Sequence, residues 1–407
     1  MDPNTRTVWQ RNMPLLYEQY ECGILCLPTL SSCFLNNLHR PEFSETSSIV
    51  AISTLLPYKQ SSITLYHIDP SEEMNSINKQ FVTFNDGFGF TNSNKELDKY
   101  TEVNNEIHKI RQSVVAPNLL AAATANGVTR LFEITESNTL NLACSLAGHS
   151  KEVWGLAWSS LANRLLTSGD DGNIFVWDIN DYSIYNSNDA KMLPTKKCSY
   201  KNLTLIQAIE ASKEHPDVFF TGDDNSNLLL WDLRTPDPNA LGFPLHYESS
   251  KQSFNSISNN QFRPYLLATG GSNLEIDVID IRMPNFPLTQ FEGHLNSINS
   301  IEWNPLNENL LASASLDNKI LIWDLSLNGA ETLLEANDDE NSDTLIFTHL
   351  GHIMPVQDLN WSNSLKNPNA ITSVDDSGVW TYWMPQSQIL LRESEYYDHL
   401  EFENDDS

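Results

Sequence analysis

The feature that most constrains the fold of this chain is a block of sequence that recurs along it. The three clearest copies span residues 148–178, 293–324 and 351–383, and each opens with the pair Gly-His. The first two close with Trp-Asp, whereas the third closes at Trp383 and has Ser377 at the position of the turn aspartate. Every copy holds three short β-like runs, so a repeated β-sheet unit is expected.

Less regular copies fill the spaces between the clear ones. They span residues 107–132, 205–232 and 254–280. Further β-like runs at 24–35, 49–54 and 63–68 add strands near the N-terminus. A seventh unit that combines N-terminal and C-terminal strands would close a ring and leave no exposed sheet edge. The sequence therefore predicts an all-β fold, a seven-bladed WD-repeat β-propeller with an N-terminal α-helix.

Histidine and aspartate recur at a fixed spacing within the repeat, an arrangement that could indicate acid–base catalysis. The residues are His149, Asp171 and Trp177 in one copy and His294, Asp317 and Trp323 in another. Recurrence in several blades instead favours a structural role, in which the Gly-His turn, a strand Ser or Thr, the turn Asp and the Trp form a buried hydrogen-bonded chain. We therefore assign these residues no chemistry and expect no enzymatic activity, metal or cofactor.

The chain is strongly acidic, with 24 Lys and Arg against 53 Asp and Glu and a formal net charge of −29. Affinity for DNA depends on cations that neutralise phosphates, so we expect no direct nucleic-acid binding. A basic protein partner fits this charge much better. The alternative is that the acidity serves only solubility.

The sequence shows none of the patterns of secretion or membrane insertion. The start of the chain has no basic region followed by an apolar stretch, and no apolar run is long enough to cross a bilayer. The five cysteines, among them Cys22, Cys26 and Cys33, show neither paired CxxC spacing nor a His cluster typical of zinc. We expect a protein that stays inside the cell, with reduced and mostly buried thiols.

Three parts of the chain can be separated. They are a helical segment at 1–21, a propeller at 22–391 and a flexible acidic tail at 392–407. The helix is predicted from an apolar stripe between Thr7 and Tyr20, which would pack on the last blade. Two polar insertions at 70–101 and 180–201 indicate no particular function.

A third insertion, at 328–344, is acidic and leads into the apolar run Leu345–Phe347. Taken alone, the acidic part is typical of a disordered loop. Acidic residues beside an apolar run would also suit a basic amphipathic helix of a partner.

Several short motifs are more specific than the repeat. Residues 9–17 are Trp-Gln-Arg-Asn-Met-Pro-Leu-Leu-Tyr, residues 27–30 are Leu-Pro-Thr-Leu, and residues 151–156 are Lys-Glu-Val-Trp-Gly-Leu. With the acidic insertion before Gly351-His352, they resemble the retinoblastoma-binding-protein type of histone-binding WD-repeat proteins over nearly the whole chain. That family includes small subunits of chromatin assembly factor, histone acetyltransferase and histone deacetylase complexes.

The resemblance implies a groove on the side of the propeller, between the N-terminal helix and the acidic insertion, that binds the first helix of histone H4. By position, apolar contacts would come from Leu15 and Leu16, contacts to histone Lys and Arg from Asp338, Asp339 and Glu340, and the groove floor from Leu345, Ile346 and Phe347. The insertion lacks the paired prolines of the family. Buried apolar contact would supply most of the affinity, and charged pairs at the rim would favour association rate and selectivity.

The resemblance also implies an acidic top face that holds Arg- and Lys-rich tails, such as that of histone H3 or of a chromatin corepressor. The matching positions hold Glu106, Glu152, Trp154, Asn255 and Asp376. Elsewhere the chain departs from the family, with Gln207, Ser297 and Asn299 in place of acidic or aromatic residues and Leu27 in place of a Trp. We therefore rank the top face below the side groove.

The leading hypothesis is a non-enzymatic histone chaperone or adaptor that presents histones H3 and H4 to larger subunits of a chromatin assembly, acetyltransferase or deacetylase complex. It places the chain in the nucleus and also in the cytoplasm. The alternative within the binding class is a generic WD-repeat scaffold, such as the substrate receptor of a ubiquitin ligase. A hydrolase built on a propeller would need a nucleophile and a base in one pocket, and the sequence shows no motif for them.

Overall fold

The computed structural model describes residues 3–25, 28–35, 48–56, 60–68, 95–102, 105–180, 191–199, 205–235, 243–244, 253–327 and 344–390. Within these ranges the strands form seven sheets, the blades of a β-propeller. Helix α1 (Pro3–Leu16) continues directly into strand β1 (Tyr17–Ile24), and helix α2 (Ser387–Leu390) follows the last strand. Neither of these two helices is long and apolar enough to span a membrane.

Blades 1 to 3 follow one another along the first half of the chain. Blade 1 contains β2 (Thr29–Leu35), β3 (Ser48–Leu56), β4 (Gln60–Ile68) and β5 (Lys95–Glu102). Blade 2 contains β6 (Ile107–Gln112), β7 (Leu119–Thr124), β8 (Val128–Ile134) and β9 (Leu140–Ala147), with β13 (Lys191–Met192) added in parallel. Blade 3 contains β10 (Val153–Trp158), β11 (Arg164–Gly169), β12 (Asn173–Asp178) and β14 (Lys196–Ser199).

Blades 4 to 7 complete the ring. Blade 4 contains β15 (Ala208–Ala211), β16 (Val218–Gly222), β17 (Leu228–Asp232) and β18 (Phe243–Pro244). Blade 5 contains β19 (Phe254–Asn259), β20 (Leu266–Gly271), β21 (Ile276–Asp280) and β22 (Thr289–Phe291). Blade 6 contains β23 (Ile298–Trp303), β24 (Leu310–Ser315), β25 (Ile320–Asp324) and β26 (Leu345–His349). Blade 7 contains β27 (Val356–Trp361), β28 (Ile371–Asp375), β29 (Val379–Pro385) and β1.

The core consists of apolar layers between neighbouring blades. Leu156 and Trp158 of β10, for example, share a buried cluster with Leu119 and Ala121 of β7 in the preceding blade. Middle strands are therefore buried on both faces, as in β7 and β29, where every residue is buried. This explains why the repeats contain continuous apolar runs instead of a strict apolar–polar alternation.

The thiols of the described cysteines are inert. Cys22, Cys33, Cys144 and Cys198 are buried and form no disulfide with one another, as predicted, and Cys26 lies outside the described residues. Burial raises the pKa of Cys33 to about 11, so its reactive thiolate form is not populated at neutral pH. Across the described ranges, no group of three or more His, Cys, Asp or Glu side chains is placed to hold a metal ion.

The recurring His, Asp and Trp residues form the structural hydrogen-bonded chains expected of them. In blade 3, His149 Nε2 lies 2.9 Å from Thr167 Oγ1 and His149 Nδ1 lies 3.0 Å from Asp171 Oδ1. The same hydroxyl accepts a hydrogen bond from Trp177 Nε1 at 3.0 Å. In blade 6 the equivalent residues are His294, Ser313, Asp317 and Trp323. Burial opposes ionisation of Asp171, but hydrogen bonds from His149 and the Ser150 N–H hold its pKa below the ordinary value.

In blade 7 the aspartate of this chain is Asp375, so the expected replacement by Ser377 was wrong. His352 Nδ1 lies 3.2 Å from Asp375 Oδ2, and His352 Nε2 lies 2.8 Å from Ser373 Oγ. The backbone N–H of Ser377 donates to Asp375 Oδ1 at 2.9 Å. The carboxylate thus sits two residues earlier than the repeat spacing suggests, and the tight turn is completed at Gly378, which has a φ of 87°.

Ring closure by N-terminal and C-terminal strands together is confirmed, but it occurs in blade 7. There β1 pairs antiparallel with β29 along the whole strand. The β-like runs predicted at 24–35, 49–54 and 63–68 instead belong to blade 1, whose four strands all come from the N-terminal part of the chain. The end of the polar insertion at 70–101 supplies the outer strand of that blade, β5, which pairs with β4.

The N-terminal helix ends earlier than the predicted stripe between Thr7 and Tyr20, and the first propeller strand begins at Tyr17 instead of residue 22. Tyr20 pairs with Trp383 across the β1–β29 ladder, and its ring is buried. A helix through Tyr20 would leave the edge of blade 7 without a partner. The backbone bonds of ring closure therefore decide the conformation of this segment.

Candidate functional site

Helix α1 packs onto the region where blades 6 and 7 meet. Its buried side chains Trp9 and Met13 share one apolar cluster with Tyr17, with Phe347 of β26 and with Trp383 of β29. Because β1 continues from α1 without a linker, the helix is tied to the strand that closes the ring. The position of α1 is thus fixed by the propeller itself.

A chain of hydrogen bonds and stacked rings lies under α1. Trp9 Nε1 donates to Tyr17 Oη at 3.1 Å, and Tyr17 Oη lies 2.9 Å from His349 Nδ1. His349 stacks on Trp383 with ring centroids 4.2 Å apart and an interplanar angle of 3°. Burial lowers the pKa of His349 well below its ordinary value, so the ring is neutral at physiological pH. A specific polar contact therefore adds to the apolar packing that holds α1.

The described residues of the predicted side groove lie near this region, but they are not equally accessible. Leu15 and Leu16, at the end of α1, are half-buried. Ile346 and Phe347 are only 7% and 5% exposed, because they belong to the cluster that packs under α1. Leu345 packs against a different cluster, between blades 5 and 6. Leu15 and Leu16 thus keep part of their surface exposed, whereas Ile346 and Phe347 pack under the helix.

Four half-buried leucines pack around the cluster under α1. They come from α1, the turn after β25, the segment after β26, and α2. We call this group the leucine edge, and its members are Leu16, Leu327, Leu350 and Leu390. Only Leu16 belongs to the predicted groove. The other three come from separate segments of the chain that only the folded ring brings together.

The acidic insertion directly follows one member of the leucine edge along the chain. The predicted contacts Asp338, Asp339 and Glu340 lie outside the described residues, as does the acidic tail at 392–407. The insertion begins directly after Leu327, a member of the leucine edge, and the described chain resumes at Thr344, which is buried. The last described residue before the acidic segment is therefore a member of the leucine edge.

A second group of residues lies on the face where the inner strands of the blades begin, which we call the upper face. In six blades the pairing of the inner strand with its neighbour shifts at the second strand residue, which marks a β-bulge. A bulge re-aims the side chain that it carries. The bulged residues are Leu30, His108, Trp154, Asn255, Asn299 and Gln357.

Three of the predicted upper-face residues form a compact group with a histidine. Trp154 stacks on His108 with centroids 3.8 Å apart and an interplanar angle of 12°. His108 Nε2 lies 3.9 Å from Glu152 Oε2, and the Glu152 side chain is 48% exposed. Half-buried Glu106 also acts on His108, but burial dominates and lowers the histidine pKa. An aromatic face beside carboxylates suits a cationic side chain.

The other two predicted upper-face residues are already engaged within the protein. Asn255 Nδ2 donates to Ser297 Oγ at 3.1 Å and to the Ile298 carbonyl at 3.0 Å. Asp376 Oδ1 accepts a hydrogen bond from Gln357 Nε2 at 2.8 Å, and burial raises the pKa of Asp376. These contacts join neighbouring parts of the ring.

The sequence prediction missed His108. Nothing in its local sequence distinguishes it from a core histidine. Aligning the second residue of every inner strand would have found it, because His108 and Trp154 occupy that position in adjacent blades.

Comparison with known proteins agrees with the repeats and the overall layout. The family described as "WD domain, G-beta repeat" matches residues 140–178 and 285–324, which contain the two clearest sequence repeats. A protein of Candida glabrata named histone acetyltransferase type B subunit 2 is 23% identical over 387 residues, covering 94% of this chain and 88% of the relative. A protein of Debaryomyces hansenii with the same name is 25% identical over 362 residues, covering 87% and 84%.

The relatives match over most of the chain. The seven blades, the closing strand and the motif at residues 9–17 occur in one chain, and the similarity is not confined to the repeats. The chain therefore carries WD repeats and is similar over most of its length to two proteins named histone acetyltransferase type B subunit 2.

Proposed function

We propose that the chain is a histone-binding, non-catalytic subunit of a histone-modifying complex, and that it presents histones H3 and H4 to larger subunits. Its relatives are named as subunits of a type B histone acetyltransferase. The His–Asp pairs of the repeats support a binding role, because structural hydrogen bonds already occupy them. On this proposal the chain works in the nucleus and also meets newly made histones in the cytoplasm.

The observation that carries the proposal is the leucine edge beside the acidic insertion. An amphipathic basic helix, such as the first helix of histone H4, would lay its apolar side on Leu15 and the leucine edge. Its Lys and Arg side chains would face Asp338, Asp339 and Glu340. Apolar burial then supplies most of the affinity, and the carboxylates supply association rate and selectivity.

Binding of a peptide spanning the first helix of histone H4, measured by calorimetry, tests the proposal. The variant Asp338→Asn/Asp339→Asn/Glu340→Gln removes three rim charges. At about 0.5 kcal/mol for each exposed pair, its affinity falls about tenfold at low salt, and the difference shrinks as salt rises. Leu15→Asp places a charge on the apolar surface and weakens binding at every salt concentration.

A matched control distinguishes the insertion from overall charge. The variant Glu136→Gln/Glu214→Gln/Asp224→Asn removes the same number of charges from exposed positions in blades 2 and 4, away from α1. It should leave the affinity for the peptide unchanged. Equal losses in both variants, or no binding of the peptide at moderate salt, would contradict the groove and favour the generic scaffold.

A second candidate function is supported by the stacked His108–Trp154 pair beside Glu152. We propose that this group holds a Lys or Arg side chain of the histone H3 tail or of a corepressor. Trp154→Ala should weaken binding of an H3 tail peptide about threefold to fivefold, the range of an exposed cation–π contact. Glu152→Gln should act in the same direction, and Leu15→Asp should have no effect. Unchanged H3 affinity in Trp154→Ala would remove this candidate without affecting the groove.

A further inference from the structure

A cavity of about 370 Å³ opens on the lower face, where the inner strands of the blades end. The ends of these strands and the loops after them line it. Small residues create the space, since Ala157 of blade 3 and Ser256 and Ser258 of blade 5 stand where blade 2 has Lys109 and Arg111. A cavity of this volume is within the range of ligand pockets.

Three basic side chains line the cavity, and two of them have partners. Arg111 donates two hydrogen bonds to the Asp358 carboxylate, at 2.7 and 2.8 Å. Lys213 Nζ lies 2.7 Å from Glu210 Oε1. Burial and the nearby Arg111 lower the pKa of Lys109 to about 8, against the opposing effect of nearby carboxylates, and among the described residues its amine has no hydrogen bond or ion pair. An ammonium group left without a partner in a recessed site favours an incoming anion.

Glu302 completes the polar wall. Its carboxylate accepts hydrogen bonds from Asn360 Nδ2 at 3.1 Å and from the Trp361 N–H at 2.8 Å. Burial raises the pKa of Glu302 to about 7, so a large fraction of molecules carries the protonated form at neutral pH. A protonated carboxyl donates one hydrogen bond, and an amine donates three. Both groups therefore favour a carboxylate as ligand.

Large apolar side chains surround the mouth of this cavity. Val114 and Leu161 line it and are 56% and 49% exposed. Phe262 and Leu365 lie in the corresponding loops of blades 5 and 7, and both are exposed. Exposed apolar side chains grouped around a polar recess are typical of a protein-binding surface.

We propose that the lower mouth binds an acidic and apolar peptide segment of a partner, with one Asp or Glu carboxylate on Lys109 and the neighbouring apolar side chains on the rim. The rim distinguishes a peptide from a free anion, which would have no contact with Val114 or Leu161. The net charge of −29 opposes the approach of an acidic partner, but salt screens that repulsion more strongly than it screens a pair inside the cavity. The cavity lining shares no residue with either of the histone-binding surfaces proposed above.

Ligand-observed NMR with two peptide pools tests the proposal. One pool holds capped tripeptides with central Glu flanked by Leu, Ile, Val or Phe, and the other has Gln in place of Glu. The native protein should bind the Glu pool about tenfold more tightly, the preference of one charge-assisted contact. Lys109→Met should abolish the preference, and Ala157→Leu, which fills the cavity without changing charge, should weaken both pools.

Lys151→Met is the matched control, since Lys151 is exposed on the upper face and its loss should leave both pools bound as in the native protein. Binding of the H4 peptide by every variant shows that the ring is folded. Equal affinity for the Glu and Gln pools, or an unchanged preference in Lys109→Met, would overturn the proposal. So would displacement of the Glu pool by equimolar sodium acetate, because the cavity would then bind a simple anion. If Lys109→Met fails to fold, binding of both peptide pools by Ala157→Leu as tightly as by the native protein would also overturn the proposal.

Discussion

Replacing Tyr17 with Phe would test how helix α1 is held against the ring. The substitution removes only the hydroxyl, which lies 3.1 Å from Trp9 Nε1 and 2.9 Å from His349 Nδ1. The aromatic ring remains, so the edge contacts with Phe347 and Trp383 are kept. Two buried polar groups lose their partner at roughly 1–2 kcal/mol each, so α1 should lose roughly 2–4 kcal/mol of stability against local opening.

Hydrogen exchange of the amides of residues 3–16 measures this opening. A loss of about 2–4 kcal/mol corresponds to an opening equilibrium that rises about 30-fold to about 1,000-fold. The apparent affinity for the H4 helix peptide should fall with the fraction of molecules in which α1 is open.

Thr221→Val in blade 4 is the matched control. It removes the hydroxyl that accepts a hydrogen bond from Trp231 Nε1 at 2.8 Å, so a buried indole again loses its acceptor. This change should destabilise blade 4 and leave exchange in α1 unaltered. Unchanged exchange of residues 3–16 in folded Tyr17→Phe, or equal opening in the control, would refute the role assigned to the hydroxyl.

Three further predictions follow from the buried polar groups. Burial lowers the pKa of His349 below that of an exposed ring. Docking of α1 is therefore fully favoured above about pH 6.5, and below that pH it weakens by up to about 1.4 kcal/mol per pH unit. Hydrogen exchange in α1 should show this pH dependence, and the variant His349→Phe should lack it. Arg111→Met leaves the buried Asp358 carboxylate without its cation and should lower the free energy of unfolding in urea by about 3–5 kcal/mol, of which Arg111→Met/Asp358→Leu should recover part. In thermal unfolding, Asp375→Asn should lower the free energy of unfolding by about 1.5–3 kcal/mol and Ser377→Ala by less than about 1 kcal/mol. A larger loss in Ser377→Ala than in Asp375→Asn would show that Ser377 is the main partner in this turn.

The repeats made the ring predictable from the sequence, because each blade carries its own local markers. The Gly-His turn and the Trp-Asp end of the copies at 148–178 and 293–324 recur wherever the same buried hydrogen-bonded chain must form. Blades without these residues were found from the period alone. The turn around Asp375 was misassigned because the repeat spacing points to Ser377, and only the folded turn shows that Asp375, two residues earlier, contacts His352.

Features that depend on distant pairing could not be predicted locally. The apolar spacing of Trp9, Leu16 and Tyr20 is compatible with a helix, and the sequence carries no sign that the segment from Tyr17 pairs with a strand more than 350 residues away. The same limit applies to the Arg111–Asp358 pair, which links blade 2 to blade 7 past Ser31 of blade 1. Such contacts exist only once the ring is closed.

The sequence indicated which segments of the chain form the candidate groove, but not which of their side chains are exposed. The apolar run after the acidic segment predicts that Ile346 and Phe347 lie at the candidate groove. It does not indicate which side of β26 is covered by other residues of the same protein. Helix α1 covers them, because Trp9 and Tyr17 need the same apolar cluster. The accessible leucines come from four separate segments, so no sequence window contains the leucine edge.

Tyr17 takes part both in ring closure and in holding helix α1 beside the proposed groove. The backbone of Tyr17 begins the ladder to β29, opposite Pro385, and its hydroxyl holds α1 through Trp9 and His349. A partner that packs on the leucine edge therefore stabilises the helix and the closing strand together. Because ligand binding to the folded state raises stability by mass action, the H4 helix peptide should raise the unfolding midpoint of the whole ring. A midpoint that stayed constant at saturating peptide would show that α1 and the closure of blade 7 are uncoupled.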